Sequence, residues 1–359
     1  MDLQTMLQTM VNKTASDLHI RAGGPAYLRV HGELEPISPD VLSDEMVEGM
    51  LSRIITPRAK RIFETRQECD FSFQVGEIAR FRVNAFKQRT KLSIAIRFIS
   101  LKIPSMEDLH LPVATIKKIA DNNRGMVLVT GITGSGKSST LAAVVDYINS
   151  TRAEHILTVE DPIEFVHKDK KAIVSQREIG EDTENYVEAL KMAMRQDPDV
   201  ILMGEMRDAE SVSAAMTAAQ TGHLVFGTLH TLDAVQTVSR IIDLYPPHQQ
   251  NLVRIQLGDT LKAVISQRLL PCLKGGRVPA MEIMVVTAHV RKQIEDNSSV
   301  GITQAIAKGQ FYGMQTFNQS LVKLYKDGLV GEKDALEAAS NPDDLKLAMR
   351  GIEQEVKQG

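Results

Sequence analysis

The chain has few cysteines and no long apolar run, and each absence excludes a class of protein. Cys69 and Cys272 are the two cysteines among 359 residues, and neither has a C-x-x-C neighbour. A disulfide framework or a structural zinc site is therefore not expected, and a reducing cytoplasm fits best. No apolar run approaches the roughly 18 residues of a membrane span. We expect a soluble protein without a transmembrane segment.

A surplus of basic residues is also missing. The formal net charge is −3, with 24% charged and 43% hydrophobic residues, an ordinary globular balance. This balance argues against a protein held on nucleic acid by bulk charge, so no stable nucleic-acid partner is expected, although a local basic patch would escape the test. The length suits about two domains.

Residues 1–100 are predicted to form a small α/β domain. Its first helix has apolar residues at positions 3, 6, 7, 10 and 11, before the first basic residue, which favours core packing over a signal peptide or a membrane anchor. Strands are predicted over 16–21, 27–34 (broken at His31-Gly32), 69–75, 79–88 and 91–100, and helices over 43–55 and 58–66.

The last two of these strands make a testable prediction. Both alternate apolar and polar residues, and a hairpin turning at 89–90 sets Arg82 directly opposite Arg97. Like charges facing each other across a strand pair are unfavourable, so we expect an anionic group over that face. Two alternatives stay open: the arginines extend into solvent, or they find nearby carboxylates.

A proline-punctuated segment at 103–112 marks a domain boundary, and we place a linker at 101–115. In the second domain, residues 116–286, strand candidates at 126–130, 156–160, 200–203 and 224–229 alternate with helical stretches such as 186–195 and 210–221. The alternation predicts a mostly parallel sheet with helices on both faces. Residues 287–359 are predicted to be mainly helical.

A complete G-x-x-x-x-G-K-[ST] loop follows the first of these strands: residues 131–138 read G-I-T-G-S-G-K-S. Its glycines let backbone N–H groups turn towards a phosphate, the following helix N-terminus adds partial positive charge, and Lys137 adds a full one. The hydroxyl of Ser138 would lie on a Mg²⁺ ion. The residues predicted to bind ATP or ADP are Thr133, Gly134, Ser135, Gly136, Lys137, Ser138 and Ser139.

Acidic residues follow the second strand. Residues 160–164 read E-D-P-I-E, with three carboxylates. Because ligands of such sheets bind at the carboxyl ends of the strands, one of these should accept a proton from, or orient, the water that attacks a terminal phosphate. The alternative is a solvated turn shaped by Pro162.

Two further strand ends carry candidates. Glu205 follows the strand at 200–203 and is the expected second element of the magnesium site, whereas Asp208 is expected to cap the next helix. His230 ends the strand at 224–229 on the ligand side and is the better candidate for a terminal phosphate. For His223, at the other end, a structural and a functional role stay equally open.

Together these segments resemble the secretion-type P-loop ATPases, and more closely the type IV pilus retraction (twitching motility) ATPases. The resemblance covers nearly the whole chain. It is carried by the loop and by S-D-L-H at 16–19, A-R-F-R-V-N-A-F at 79–86, T-V-E-D-P-I-E-F at 158–165, G-E-M-R-D at 204–208, residues 221–231, and G-M-Q-T-F at 313–317.

The resemblance implies a PAS-like N-terminal domain, a RecA-like P-loop ATPase domain, and a homohexameric ring with ATP between neighbours. It implies an ATP-hydrolysing motor for pilus retraction, working with an inner-membrane platform protein at the cytoplasmic face of that membrane. Glu164 would be the catalytic carboxylate and Glu205 a magnesium element. His230 would sense the terminal phosphate, and Arg82 and Arg97 would reach ATP bound on the next subunit.

Several alternatives stay open. Assembly and type II secretion relatives usually have a longer N-terminal extension and often a four-cysteine element; the absence of both here favours retraction. The family's A-I-R-R-like element corresponds to residues 288–292, where His289 and Val290 replace Ala and Ile, so an accessory retraction motor is also considered. From other classes we consider a DNA-translocating ring ATPase and an ATP switch that barely hydrolyses.

Overall fold

The computed structural model describes residues 1–30, 32–76, 79–99 and 102–351. Contacts divide the chain into two compact units, Met1–Lys102 with Glu164–Val166, and Ile103–Ile163 with His167–Gly359. Four parts of the sequence-based assignment lie outside the described residues: His31, Ser100, Leu101 and residues 352–359. Whether the predicted segments are independently folding domains stays a prediction.

The N-terminal unit is an antiparallel sheet with three helices. Its elements are α1 (Leu3–Asn12), β1 (Asp17–Arg21), β2 (Tyr27–Val30), β3 (Glu33–Pro36), α2 (Asp44–Ser52), α3 (Pro57–Arg66), β4 (Glu68–Val75), β5 (Ala79–Gln88) and β6 (Lys91–Ile99). The strand order is β3-β2-β1-β6-β5-β4. The amphipathic helix α1 buries Leu3, Met6, Leu7 and Met10 in the core of this unit, as its spacing predicts.

The β5–β6 hairpin has the predicted register. Arg89 and Thr90 form the turn with φ of 49° and 65°, the left-handed conformation that two-residue hairpin turns need. Because the register is fixed by this turn and by alternation, Phe81 lies opposite Phe98 and Arg82 lies opposite Arg97.

The second unit is built on a seven-stranded sheet. Its strands are β7 (Gly125–Thr130), β8 (His155–Glu160), β9 (Ile173–Glu178), β10 (Val200–Met203), β11 (Leu224–Leu229), β12 (Leu261–Pro271) and β13 (Arg277–Val285). Its helices are α4 (Val113–Ala120), α5 (Lys137–Thr151), α6 (Tyr186–Ala193), α7 (Ala209–Gln220), α8 (Ala234–Asp243), α9 (Pro247–Thr260), α10 (Ala288–Glu295), α11 (Ser299–Lys308), α12 (Phe317–Lys326), α13 (Glu332–Ala338) and α14 (Pro342–Met349).

This sheet runs in the order β13-β12-β7-β11-β10-β8-β9, parallel except for the β12–β13 pair. Alternate residues of β7 enter two different cores. Met126 and Leu128 pack with residues of α7, α8 and α9, whereas Val127 and Val129 pack with residues of α4 and α5. The predicted α/β fold, a mostly parallel sheet covered on both faces, is confirmed.

Three strands of this sheet were not predicted: β9, β12 and β13. No connecting residue separates α9 from β12, which begins at Leu261 directly after Thr260, and polar residues at 262 and 266–268 break the apolar pattern. Strand β9 is half-exposed at the sheet edge, so its apolar signal is weak. Helices α12–α14 pack on the β12–β13 hairpin in a core of their own. Within the described residues, no helix has both the length and the apolarity to cross a bilayer.

Candidate active site

The phosphate-binding loop joins β7 to α5. Gly131, Gly134 and Gly136 have φ of 142°, 80° and 93°, a region that only glycine adopts without strain. A side chain at Gly131 would also collide with the carbonyl oxygen of Gln267. Gly136 is the N-cap of α5 and offers no side-chain cap, so the first N–H groups of the helix face an open loop. Such a helix N-terminus is suited to an anion.

The polar groups of the loop fit a phosphate. The Lys137 ammonium donates to the carbonyls of Gly131 and Ile132 over 2.8 and 3.0 Å, which holds it across the loop. The hydroxyl of Ser135 is buried and has no hydrogen-bond partner among the residues that the structure describes, and a phosphate oxygen would satisfy it. The remaining predicted nucleotide ligands are exposed or half-buried: Thr133, Gly134, Gly136, Ser138 and Ser139.

Strand β12 supports this loop through buried side chains. Thr130, the residue before the loop, donates to the hydroxyl of Ser266 over 2.9 Å. The amide of Gln267 donates to the hydroxyl of Thr140 in the first turn of α5, also over 2.9 Å. Sequence reasoning missed both residues because it missed the strand. The available signal was a polar pair inside an otherwise apolar run.

Glu205 and His230 lie together at the carboxyl ends of neighbouring strands β10 and β11. His230 Nε2 lies 3.2 Å from Glu205 Oε1, and Arg207 Nη2 lies 2.6 Å from Glu205 Oε2. The hydrogen bond from Arg207 lowers the pKa of Glu205, and the charges of Arg207, His230 and Lys137 add to this effect. The structure therefore brings Lys137, Glu205 and His230 into one electrostatic group.

Glu160 ends β8 at the same edge of the sheet. Its Oε1 accepts hydrogen bonds from Thr158 and Gln176 over 2.8 and 3.3 Å. Both donors belong to strands β8 and β9, so the Glu160 side chain is tied to the sheet, whereas Asp161, the next residue, is exposed. Of the three predicted carboxylates, Glu160 is therefore the least available for a ligand.

Glu164 is the third carboxylate of the acidic run. Its side chain is exposed, and no hydrogen bond or ion pair reaches it from any residue that the structure describes. The contact-based division assigns Glu164–Val166 to the N-terminal unit. The role of Glu164 as the catalytic carboxylate stays a prediction.

The two facing arginines have carboxylate neighbours within their own unit. Arg97 Nε lies 2.8 Å from Asp17 Oδ1, on the adjacent strand β1, and Arg82 Nε lies 4.0 Å from Asp70 Oδ1 on β4. The arginine side chains are 66% and 44% exposed respectively. Within the N-terminal unit, the structure therefore agrees with the alternative in which both arginines find nearby carboxylates. A role of these arginines towards a second subunit stays a prediction.

Tyr186 is a residue near this edge that sequence reasoning missed. A Cβ atom at Gly204 would lie 2.8 Å from the Tyr186 hydroxyl, which explains why glycine precedes Glu205. Burial raises the pKa of Tyr186, and the negative charges of Asp161 and Glu205 add to it. The phenol is therefore a neutral donor beside the acidic strand ends.

Two other polar candidates have structural roles. The ring of His223 places Nδ1 2.9 Å from the carbonyl of Ala218, at the amino end of β11, away from the loop. The Asp208 carboxylate accepts from the Ser211 N–H over 2.8 Å in a capping box at the start of α7. The expected capping role of Asp208 is confirmed. His223 makes a structural hydrogen bond, and whether it also has a functional role stays open.

The chain is similar to known proteins along most of its length. A family model described as Type II/IV secretion system protein matches residues 1–310. The type IV pilus retraction ATPase PilT of Pseudomonas aeruginosa is 45% identical over 345 residues, covering 96% of this chain and 100% of the relative. The type IV pilus ATPase PilU of the same organism is 38% identical over 351 residues, covering 98% and 92%. A crystal structure of the pilus retraction motor PilT with bound ADP superimposes with a TM-score of 0.90 at 42% identity, covering 96% of this chain and 99% of that one.

Proposed function

The chain belongs to the Type II/IV secretion system protein family and is an ATPase, and we propose that it is the motor of type IV pilus retraction. One observation carries the proposal. Glu205 and His230 contact each other at the carboxyl ends of neighbouring parallel strands, and the charge of Lys137 acts on Glu205, in a chain that is similar over 96% of its length to a retraction ATPase.

ATP is the substrate, and residues 133–139 would hold its phosphates. The backbone N–H groups of the loop, the Ser135 hydroxyl and the Lys137 ammonium all suit phosphate oxygens. Ser138 and Glu205 would hold a Mg²⁺ ion, which when bound neutralises charge on the phosphates. The lowered pKa of Glu205 keeps its carboxylate ionised for this purpose.

Two side chains would act on the reacting end of the nucleotide. Glu164, exposed and without a hydrogen bond among the described residues, would accept a proton from the attacking water. His230 would contact the terminal phosphate through Nε2, the atom that now faces Glu205. Loss of that phosphate would release His230, so the turn behind β11 would respond to hydrolysis.

We place the nucleotide between two subunits of a homohexamer. Arg82 and Arg97 would extend from the N-terminal unit of one subunit to the phosphates on its neighbour. Support comes from the exposure of both guanidinium groups and from their like charges, which lie directly opposite. On reaching a phosphate, Arg97 would exchange its contact with Asp17 for a charge-assisted hydrogen bond.

The mechanical output would be disassembly of pilin subunits. Hydrolysis in successive subunits would move the two units of each chain and turn an inner-membrane platform protein. The motor would lie peripherally at the cytoplasmic face of that membrane. No stable nucleic-acid partner is proposed, because the chain has no basic surplus.

Glu164→Gln tests the enzymatic part. It should abolish turnover while ATP binding, measured by thermal shift, persists, because Gln keeps the shape but cannot accept the proton. Glu210→Gln, an exposed glutamate on α7, is the matched control and should hydrolyse like the parent. An unchanged rate in Glu164→Gln would remove the catalytic assignment.

A clean gene deletion tests the motor. Lost surface motility with excess pili supports retraction, whereas lost pili would mean assembly. Stimulation of hydrolysis by DNA at physiological salt would instead favour a DNA-translocating ring.

A second candidate, an accessory retraction motor, is favoured by one observation. Helix α10 carries His289 and Val290 where the retraction element has Ala and Ile, and Val290 is buried there. Restoring motility to a strain that lacks every retraction motor separates the two. Restoration by this chain alone supports an independent motor, and restoration only together with another motor supports the accessory one.

A further inference from the structure

The turn between β11 and α8, residues 230–233, is held by a carboxylate at each end. At its start, His230 Nε2 lies 3.2 Å from Glu205 Oε1. Directly after its end, the backbone N–H of Ala234 donates to Oε1 of Glu282 over 2.9 Å. Glu282 belongs to β13, which lies at the far edge of the sheet. The turn that carries His230 is therefore fixed from two sides.

Glu282 has no ion-pair partner among the described residues. Arg268, whose charge acts on Glu282, donates to the carbonyl of Ala338 over 2.6 Å, and its guanidinium lies 3.8 Å from the centre of the Phe317 ring. Burial raises the pKa of Glu282 to about 7, and the charge of Asp233 adds to it. An enclosed carboxyl without an ion pair costs free energy, which draws attention to the Ala234 N–H that this carboxyl contacts.

Two carboxylates serve the N-terminus of α8. Asp233, its N-cap, accepts from the N–H of Gln236 over 2.7 Å, and Glu282 accepts from the N–H of Ala234, the first residue of the helix. The Ala234–Glu282 bond thereby fixes the point where the turn enters the helix. We propose that Glu282 is a positioning residue that holds the 230–233 turn so that His230 faces the terminal phosphate. This inference rests on the proposed function, because it takes His230 as the residue that contacts that phosphate.

The position of Glu282 in the chain adds a consequence. Three residues after it, β13 ends at Val285, and α10 begins at Ala288 behind its N-cap Thr287. A movement of the 230–233 turn would pull on the strand that leads into α10. Glu282 thus connects the turn that carries His230 to α10, the helix in which this chain differs from the retraction element.

The experiment compares Glu282→Met with Glu282→Gln in the full chain. Met fills a similar volume but accepts no hydrogen bond, whereas Gln keeps an acceptor oxygen. In Glu282→Met we expect faster amide hydrogen exchange over residues 230–236, measured without nucleotide. We also expect kcat to fall about tenfold while KM for ATP changes less than about threefold, because the phosphate loop is untouched. Glu282→Gln should restore both readouts.

Thr287→Ala is the matched control. It removes the cap of α10, a hydrogen bond from the Val290 N–H over 3.3 Å, two residues after the end of β13 and away from the turn. It should reduce thermal stability, with kcat within about twofold of the parent. Unchanged exchange over 230–236 in Glu282→Met, or an equal loss of kcat in Thr287→Ala, would overturn the proposal.

Two further outcomes remain informative. If Glu282→Met does not fold, Glu282→Ala takes its place with the same criteria. A parent protein that hydrolyses no ATP would end the proposed function. The exchange measurement, made without nucleotide, would then still decide whether Glu282 holds the turn.

Discussion

The two sheets of this protein place their candidate functional residues differently. In the second unit both faces of the sheet are buried, and Lys137, Glu205 and His230 lie at the edge where parallel strands end. In the N-terminal unit Arg82 and Arg97 lie in the middle of antiparallel strands, on an exposed face. A parallel sheet can carry ligand-binding and catalytic residues at the carboxyl ends of its strands. An antiparallel sheet can instead present such residues across one exposed face.

The difference predicts different sensitivities to mutation. The residues at the carboxyl ends of the parallel strands are fixed by the loop and by neighbouring strands. A single substitution there should therefore abolish ATP hydrolysis, whatever the oligomeric state. Residues on the open face contribute little to their own fold, since exposed ion pairs are weak. Their substitution should matter only where a second molecule is present. The following predictions test this contrast.

Lys137→Ala should have the largest effect. It removes the full positive charge at the edge, so hydrolysis should fall below detection and the thermal shift produced by ATP should disappear. Thermal stability without nucleotide should change little, since the hydrogen bonds from the ammonium to Gly131 and Ile132 stay within the loop. A normal response to ATP would contradict the assignment of the loop.

The double variant Arg82→Ala, Arg97→Ala should lose at least about a hundredfold in kcat, since arginines supplied to a phosphoryl group are worth this much or more. Mixing it with Glu164→Gln subunits should restore part of the activity, because each variant supplies what the other lacks. Activity measured in mixed rings checks this prediction. If confirmed mixed rings recover no ATP hydrolysis, the arginines do not act on ATP bound to a neighbouring subunit. The contrast between the strand ends of the second unit and the open face of the N-terminal unit would then fail.

Glu282 should give a pH-dependent effect of intermediate size. Its pKa is raised from 4.5 to about 7. The protonated form is therefore favoured by folding, and its stabilisation is lost as the pH rises through the folded value. Between about pH 5 and about pH 8 the parent should lose up to ~3 kcal/mol of unfolding free energy that Glu282→Gln keeps. Denaturant titrations of both proteins across this range test the sign, and parallel curves would refute it.

Asp17→Asn should have the smallest effect. The Asp17 side chain is only 13% exposed, but that of its partner Arg97 is 66% exposed, so solvent screens the pair and its contribution should stay within about 1 kcal/mol. The free energy of unfolding should change by less than this, measured by urea denaturation. A loss of several kcal/mol would show that the face is structural, and the contrast with the edge would fail.

The sequence predicted those features that depend on local spacing. The phosphate loop is defined by eight adjacent residues, and its position between a strand and a helix follows from the apolar pattern around it. The register that sets Arg82 opposite Arg97 follows from alternation and a two-residue turn. Both could be found because every residue involved lies close in the chain.

Features that depend on distant contacts could not be predicted. The carboxylate beside Arg97 comes from Asp17, through a pairing of β1 with β6 that neither strand's pattern reveals. Gln267 contacts Thr140 from β12, a strand that the sequence analysis did not predict. Glu282 and Tyr186 belong to no sequence motif, and only their contacts in the folded chain point to a role. Such contacts are set by the order of strands in the sheet, which spacing does not determine.

The β12–β13 hairpin also sets a limit on how the second unit can be shortened. Removing everything after Thr260 would leave β7 as an edge strand, with unpaired backbone groups available for aggregation. The same truncation would remove Ser266 and Gln267, and with them the buried support of the nucleotide loop. A minimal catalytic fragment must therefore extend at least to Val285, although the recognisable sequence motifs around the nucleotide end some fifty residues earlier, at His230.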